Sequence, residues 1–160
     1  MSPLSALCVQ CGLCCDGTLY RFLPVRPEDA DRHREHGLPL VTQSGHLAMP
    51  LPCSKLVNKC CTVYETRPNG CRGFVCKLGD QLEKGEVTSE QALRVVKEAH
   101  RRIAILRARY PTNAPSLVQA ATTQEREGAG LDLPALEALG NVVDWLEKHV
   151  HWPSPSSDEP

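Results

Sequence analysis

The residues of this chain most able to do chemistry are nine cysteines, all of them in its first half. Four fall within eight consecutive positions, and five are spread over a later stretch. Thiolates packed this closely repel one another unless a cation lies among them. The pattern therefore predicts a thiolate-bound metal ion or iron–sulfur cluster. The nine residues are Cys8, Cys11, Cys14, Cys15, Cys53, Cys60, Cys61, Cys71 and Cys76.

The first cluster begins with the spacing Cys8-x2-Cys11-x2-Cys14. A loop with this spacing can turn three sulfurs toward one centre, as ferredoxin loops do, so it favours an iron–sulfur cluster, such as a four-iron one, over zinc. Cys14 and Cys15 are adjacent, with Cα atoms about 3.8 Å apart, and their side chains are expected to point in different directions. Cys15 is expected to turn toward a second centre, to bridge two metals or to join the later cysteines.

The later cysteines are widely spaced, because seven, nine and four residues separate Cys53, Cys61, Cys71 and Cys76 in turn. None of these intervals is the Cys-x2-Cys knuckle of a zinc ribbon. Any site must therefore be assembled from both parts of the cysteine-rich half. Without Cys60, the eight cysteines permit one four-thiolate site with four spare ligands, or two four-thiolate sites.

Positive charge accompanies the later cysteines, since residues 53–77 carry five cations against one carboxylate. Cations near sulfur lower thiol pKa values and offset the charge of a thiolate site. Arg67 and Arg72 are expected to donate hydrogen bonds to sulfur or carbonyl groups, and Tyr64 to pack beneath the site. The five cations are Lys55, Lys59, Arg67, Arg72 and Lys77.

Composition indicates how the thiols are used. Only 4% of the 160 residues are aromatic, and a thin core is commonly stabilised by disulfides or metals. Nine cysteines cannot all pair, and the first seven residues do not resemble a secretory signal, so we expect a cytoplasmic, metal-binding protein. The net charge of −1 and the lack of an apolar run of about 20 residues favour neither nucleic acid nor a membrane as partner. A protein partner stays open.

The two halves differ in composition, which predicts an α+β fold. We expect a small, irregular, metal-stabilised cysteine-rich domain with short strands over residues 1–85, and a helical region over 86–151 packed on it. Residues 152–160 have the composition of a disordered tail.

The elements of the cysteine-rich half are expected to be short. Thr18–Val25 is a predicted strand, and Pro27 opens a helix that ends near His36 before Gly37. Residues 38–52 form a second strand or a loop.

Three helices are predicted in the second half. The first covers Ser89–Tyr110, from a Thr88–Gln91 capping box to a proline. The second covers Ser116–Gln124, and the third follows Asp132 and ends near Val150. The residues predicted to face inward are Ala92, Val96, Ala99, Ile103, Leu106, Leu136, Leu139, Val143, Leu146 and Val150.

The opposite face of the first of these helices is basic. Such a face could bind nucleic acid or an acidic partner, but no aromatic side chains are interleaved with its cations, so a solvated surface is expected. The cations are Arg94, Lys97, Arg101, Arg102, Arg107 and Arg109.

Histidines are weaker ligand candidates than the thiols. His33 and His36 share one helix face and could chelate, although histidines at a helix end are favoured there by the dipole alone. His46 lies nearest in sequence to Cys53. With eight thiols available, we expect sulfur ligands only.

Three segments together carry a family resemblance: Cys8-x2-Cys11-x2-Cys14-Cys15, Pro52-Cys53, and the run CTVYETRPNGCRGFVC from Cys61 to Cys76. They resemble the CxxCxxCC family, the YkgJ-like cysteine-cluster proteins described as zinc- or iron-chelating domains. The likeness covers about residues 5–80, and Cys60 falls outside its pattern. It implies that the metal ligands are Cys8, Cys11, Cys14, Cys15, Cys53, Cys61, Cys71 and Cys76.

Three functions are compatible with these residues. The first is a metal-binding protein that holds an iron–sulfur cluster or zinc. The second is a metal-dependent or redox enzyme, since some larger relatives of the family resemble flagellin lysine N-methylases. The third is a zinc-stabilised protein or nucleic-acid adaptor. No phosphate-binding glycine loop, dinucleotide motif or carboxylate pair points to independent catalytic residues.

Overall fold

Short helices and strands surround the cysteines in the computed structural model, and longer helices follow them. The structure describes residues 1–114 and 116–151. Within these, the helices are α1 Pro3–Cys11, α2 Ala30–Glu35, α3 Asn69–Gly73, α4 Lys77–Glu83, α5 Ser89–Arg109, α6 Leu117–Arg126 and α7 Leu133–His149, and the strands are β1 Phe22–Pro24, β2 Val41–Gln43, β3 His46–Pro50, β4 Leu56–Val57 and β5 Cys60–Cys61. The predicted α+β fold with a helical C-terminal half is confirmed.

The first cysteines lie on a helix, so the prediction of a ferredoxin-like loop for them is wrong. Ser2 caps α1 by accepting a hydrogen bond from the Ser5 N–H (3.1 Å), and Pro3 occupies the first turn, where its missing N–H costs nothing. The helix ends at Gly12, whose positive φ of 69° is readily adopted by glycine. Cys8 and Cys11 therefore lie one turn apart at the end of α1.

Two small antiparallel sheets support the rest of the cysteine-rich half. The strand order of the larger is β1-β3-β2, with Phe22 opposite Pro50. The strand predicted over Thr18–Val25 is shorter than expected, and the segment 38–52 contains the hairpin of β2 and β3. The smaller sheet pairs β4 with β5 and places Leu56 opposite Cys61.

Local signals position α2, α5 and α7 near their predicted starts, whereas α3 and α4 were not predicted. Pro27 opens a 3₁₀ turn that continues into α2. Thr88 and Gln91 form a reciprocal capping box at the start of α5, with hydrogen bonds of 3.1 and 2.7 Å. Asp132 caps α7 by accepting from the Ala135 N–H. These caps satisfy N–H groups that a helix start otherwise leaves free.

The main core joins the cysteine-rich half to the C-terminal helices. Leu7, Leu13 and Leu78 are buried with side chains of α5, α6 and α7. Of the residues predicted to face inward, Leu136 is wrong: it is 38% exposed, and the buried side chains of its helix include Ala138 and Val142. The other nine are buried or packed partly buried against this core.

A second, much smaller core lies beside the three-stranded sheet. Its buried members are Val25, Leu38 and Met49, with partly buried leucines and Cys53 around them. Three buried side chains give this region little apolar stabilisation compared with the main core.

The basic face of α5 is partly neutralised by its own helix. Arg94 pairs with Glu90, and both Arg101 and Arg102 pair with Glu98, each at 2.7 Å. The pairs of Arg94 and Arg101 are exposed, as expected of a solvated surface, whereas Arg102 is part-buried and packs on the Trp145 ring of α7. In residues 1–114 and 116–151, no helix is long and apolar enough to cross a membrane. The tail predicted over 152–160 lies outside the described residues.

Candidate metal centre

A single cavity of about 160 Å³ collects the thiols of the cysteine-rich half. All nine cysteines are free, and eight of them line this cavity. Cys60 does not line it; this residue is exposed, and its thiol lies 3.7 Å from the Val9 carbonyl oxygen. The eight that line it are Cys8, Cys11, Cys14, Cys15, Cys53, Cys61, Cys71 and Cys76.

Four of these cysteines come from α1, the turn that follows it and the start of α4, and we call them the first thiol group: Cys8, Cys11, Cys14 and Cys76. Cys76 caps α4, and its sulfur accepts a hydrogen bond from the Gly79 N–H at 3.4 Å. Any side chain at Gly79 would place its Cβ 2.8 Å from the Leu4 side chain, so glycine permits the close packing of α4 on α1. The Cys14 thiol is hydrogen-bonded to the Cys76 sulfur, which ties the turn after α1 to α4.

The other four cysteines form a second thiol group: Cys15, Cys53, Cys61 and Cys71. The Cys53 N–H donates to the Cys15 carbonyl at 2.7 Å, which joins two segments far apart in sequence. The Cys53 carbonyl in turn accepts from the Leu56 N–H, and Leu56 pairs with Cys61 across the small hairpin. The charges of Cys53, Cys71 and Cys61 each act more strongly on the Cys15 thiol than the charge of Cys8 does.

A buried carboxylate holds the short helix that carries Cys71. Asp29 is 5% exposed, and its two oxygens accept from the N–H groups of Asn69 (3.2 Å) and Gly70 (3.0 Å) at the start of α3. His33 lies behind it, fully buried, with Nδ1 2.9 Å from the Asp29 carbonyl oxygen. No feature of the sequence indicated this contact, because it joins positions forty residues apart.

The C-terminal helices hold the segment that follows α1 through its carbonyl groups. His100 on α5 donates from Nε2 to the Cys11 carbonyl at 2.9 Å. Ser116 donates to the Gly17 carbonyl at 2.5 Å, and Gln119 of α6 to the Thr18 carbonyl at 3.1 Å. These side chains fix the backbone around Cys14 and Cys15, and sequence reasoning had not found them.

Burial keeps most of the thiols protonated. It raises the pKa of Cys11 and of Cys15 to about 12 and that of Cys71 to about 11. Cys76 differs: the hydrogen bond from the Cys14 thiol, with weaker help from N–H groups at the start of α4, lowers its pKa. The same hydrogen bond raises the pKa of Cys14. The first thiol group therefore contains one favoured thiolate.

Two of the predicted arginines lie on the cavity wall, and both donate to carbonyl groups. The Arg67 guanidinium lies 3.6 Å from the centre of the Tyr64 ring and donates to the Tyr64 carbonyl at 3.3 Å. Arg72 donates to the carbonyls of Arg67 and Glu65. Lys59 also lines the cavity, whereas Lys77 donates to the Lys148 carbonyl.

No histidine of the described residues lines the cavity. His36 has its Nε2 2.7 Å from the Thr66 carbonyl oxygen, and His46 is exposed at the start of β3. The Nε2 of His33 is buried without a hydrogen-bond partner. The donors on the cavity wall are therefore sulfur atoms without imidazole.

The thiols are suitable metal ligands, but they are farther apart than the ligands of a bound ion. Within the described part of the chain, no three Cys, His, Asp or Glu side chains lie close enough together to hold one ion. The sulfurs around a tetrahedral zinc ion are about 3.8 Å apart. Binding at this cavity therefore requires the thiol side chains to turn inward.

Comparison with protein families agrees with the geometry of this cavity. The family model CxxCxxCC, described as "Putative zinc- or iron-chelating domain", matches residues 7–99. The match extends beyond the expected limit near residue 80 and includes the first half of α5. No curated protein and no solved structure matches the chain. Since the model covers more than half of its length and all nine cysteines, this chain belongs to the CxxCxxCC family of zinc- or iron-chelating domains.

Proposed function

We propose that this protein chelates zinc or iron, the latter as an iron–sulfur cluster, through the eight thiols that line its cavity. The observation that carries the proposal is their convergence: cysteines from α1, α3, β5, the start of α4 and the connecting segments face one space. The one cysteine outside the family pattern, Cys60, is also the one outside the cavity. All nine cysteines are free in this structure, so the eight thiols are available as ligands.

The cavity wall also carries groups that would stabilise negatively charged thiolates. The Nε of Arg67 is buried and has no hydrogen-bond partner among the described residues. An unpaired buried N–H is costly, and a thiolate turned inward would be an acceptor for it. Lys59 and Arg72 on the same wall would offset the remaining negative charge of a thiolate centre.

Sulfur-only donor sets are used by structural zinc sites and by iron–sulfur clusters. We keep the iron–sulfur cluster as the first candidate, with zinc as the second. The α-helical conformation of Cys8 and Cys11 removes the support that a ferredoxin-like loop gave to the cluster, and a set of cysteine thiols suits either metal. When bound, either metal would cross-link the segments that carry its thiolate ligands.

Metal analysis of protein purified without oxygen tests the proposal. We expect stoichiometric iron with sulfide and a brown protein, or stoichiometric zinc and a colourless one. The Cys60→Ser variant should carry as much metal as the unchanged protein, whereas Cys11→Ser combined with Cys71→Ser should carry much less. A reduced protein that contains no metal, and that takes up neither zinc nor iron when these are supplied, would contradict the proposal.

A further inference from the structure

The eight thiols of the cavity come from two sets of elements, which carry the first and second thiol groups defined above. The Cys14 thiol interacts with the Cys76 sulfur, whereas the Cys15 carbonyl accepts a hydrogen bond from the Cys53 N–H. Adjacent residues of the chain thus contact different partners.

We propose that this protein has two separate four-thiolate centres, one formed by Cys8, Cys11, Cys14 and Cys76 and the other by Cys15, Cys53, Cys61 and Cys71, which meet at the Cys14–Cys15 peptide bond. The inference rests on the proposed function and specifies how many centres the cavity holds and which ligands each one uses. Each centre has the ligand number that zinc or a four-iron cluster requires.

The elements that carry the first group bring its members together independently of the second. Cys8 and Cys11 follow each other by one helical turn, which places them on the same face of α1. Packing of α1 on α4 brings Cys76 to that face, since a Cβ at Gly79 would meet Leu4. The three-residue step from Cys11 to Cys14 passes through Gly12, whose left-handed conformation ends α1 and turns the chain.

The second group is assembled by strands and turns. The Cys53 N–H donates to the Cys15 carbonyl, which brings these two residues together. The β4–β5 hairpin then places Cys61 opposite Leu56, close to Cys53. The charges of Cys53 and Cys61 act on the Cys71 thiol ahead of any others, so α3 also faces this group.

The division follows from the geometry of adjacent residues. Two neighbouring side chains cannot readily point at one ion, and in this chain they point at different sets of sulfurs. An ion shared between the groups would need the sulfur of Cys14 or Cys15 to bind in both groups. Cys14 instead interacts with Cys76, and Cys15 with the Cys53 segment.

Pairs of substitutions distinguish two centres from one. We would remove metal from the full-length protein, reload it with zinc against a competing chelator, and count bound ions by native mass spectrometry. The unchanged protein and Cys60→Ser should bind two ions. Variants that lose two ligands of the same group, Cys11→Ser/Cys76→Ser or Cys53→Ser/Cys71→Ser, should each keep one ion. The cross-group variant Cys11→Ser/Cys71→Ser should bind neither with high affinity.

Each alternative outcome has its own meaning. One ion in the unchanged protein, or equal losses in same-group and cross-group variants, would overturn the two-centre inference and leave the proposed function standing. No zinc and no iron in the unchanged protein would remove the proposed function itself.

A measurement on the unchanged protein covers the case in which a variant does not fold. Cadmium replaces zinc in thiolate sites and can be observed directly by ¹¹³Cd NMR. We expect two resonances typical of four-sulfur coordination and no scalar coupling between them. A single resonance, or coupling between two cadmium ions through a shared sulfur, would overturn the inference.

Discussion

The two thiol groups are built on unequal supports. The first lies on α1 and α4, whose Leu7 and Leu78 are buried in the main core with the C-terminal helices. The second lies on a two-stranded hairpin, a five-residue helix and connecting segments, beside a core of only three buried side chains. Cysteines of one cavity thus differ in what holds them in the absence of a metal.

If both proposed centres bind metal, this difference predicts that they use it differently. Apolar packing stabilises α1 and α4 independently of a ligand, so we expect the elements of the first group to keep their fold when metal is removed. The second group has little apolar packing behind it. Binding there would supply much of the stabilisation of residues 20–75, as structural zinc does in small domains.

Removing metal should therefore give the largest difference in stability between the two regions. Structural zinc contributes on the order of 10–16 kcal/mol in small peptides, comparable with the stability of a whole domain. Hydrogen exchange followed by mass spectrometry should show protection lost over β1–β5 and α3 after chelation, while α5 and α7 keep theirs. Uniform loss of protection over the whole chain, or no change in protection anywhere, would contradict the conclusion that the two thiol groups differ in their support.

The dependence of metal affinity on pH should also differ between the groups. Thiols whose pKa is raised by burial, such as Cys15 and Cys71, are protonated at neutral pH, so metal must displace their protons and its affinity falls as pH falls. The lowered pKa of Cys76 means that the first group releases fewer protons. Calorimetry in buffers of different ionisation enthalpy can count them.

The same-group variants make this comparison possible. Cys53→Ser/Cys71→Ser leaves the first group complete, and Cys11→Ser/Cys76→Ser leaves the second complete. We expect fewer protons released per ion by the former. Equal proton release by both would show that Cys76 is not a distinct thiolate.

A smaller and selective effect is expected from Asp29→Asn. The amide cannot accept from Asn69 and Gly70 with both oxygens, and a hydrogen bond to a charged group contributes about 1.5–3 kcal/mol. The second group should bind metal more weakly because α3 is less well held, and the first should be unaffected. Asp31→Asn is the matched control, since Asp31 is exposed and pairs only with Arg34. Equal losses in both variants would contradict a specific role for Asp29.

The smallest effect is expected from Cys60→Ser. This thiol is exposed and lies 3.7 Å from the Val9 carbonyl oxygen. Surface substitutions of this kind change stability by about 0.5 kcal/mol or less. Metal content and thermal unfolding should match those of the unchanged protein. Loss of a bound ion would place Cys60 among the ligands, in exchange for its neighbour Cys61.

How far sequence reasoning reached depended on whether a signal was local. Thr88 with Gln91, and Asp132, define helix starts within four residues, and α5 and α7 begin where these caps predict. The cysteines could be singled out because their number and spacing are rare. The α+β division followed from the change in composition between the two halves.

Other features depend on contacts between distant segments. Ser2 and Pro3 are ordinary helix-start signals, but the cysteine spacing that follows them is also typical of a loop, so α1 was not predicted. Asp29 with Gly70, and His100 with Cys11, meet only through the tertiary fold. Leu136 fits the apolar period of α7, yet it lies at the edge of the buried stripe, where Ala138 faces the core instead.

The most direct test of a metal-binding cavity is to measure thiol reactivity residue by residue. Metal-loaded, full-length protein would be treated briefly with an alkylating reagent without oxygen, and the modified peptides identified by mass spectrometry before and after chelation. We predict that Cys60 reacts at once in both states, and that the eight cavity cysteines react only after chelation. Cavity cysteines that react as fast as Cys60 in the metal-loaded protein would contradict the account.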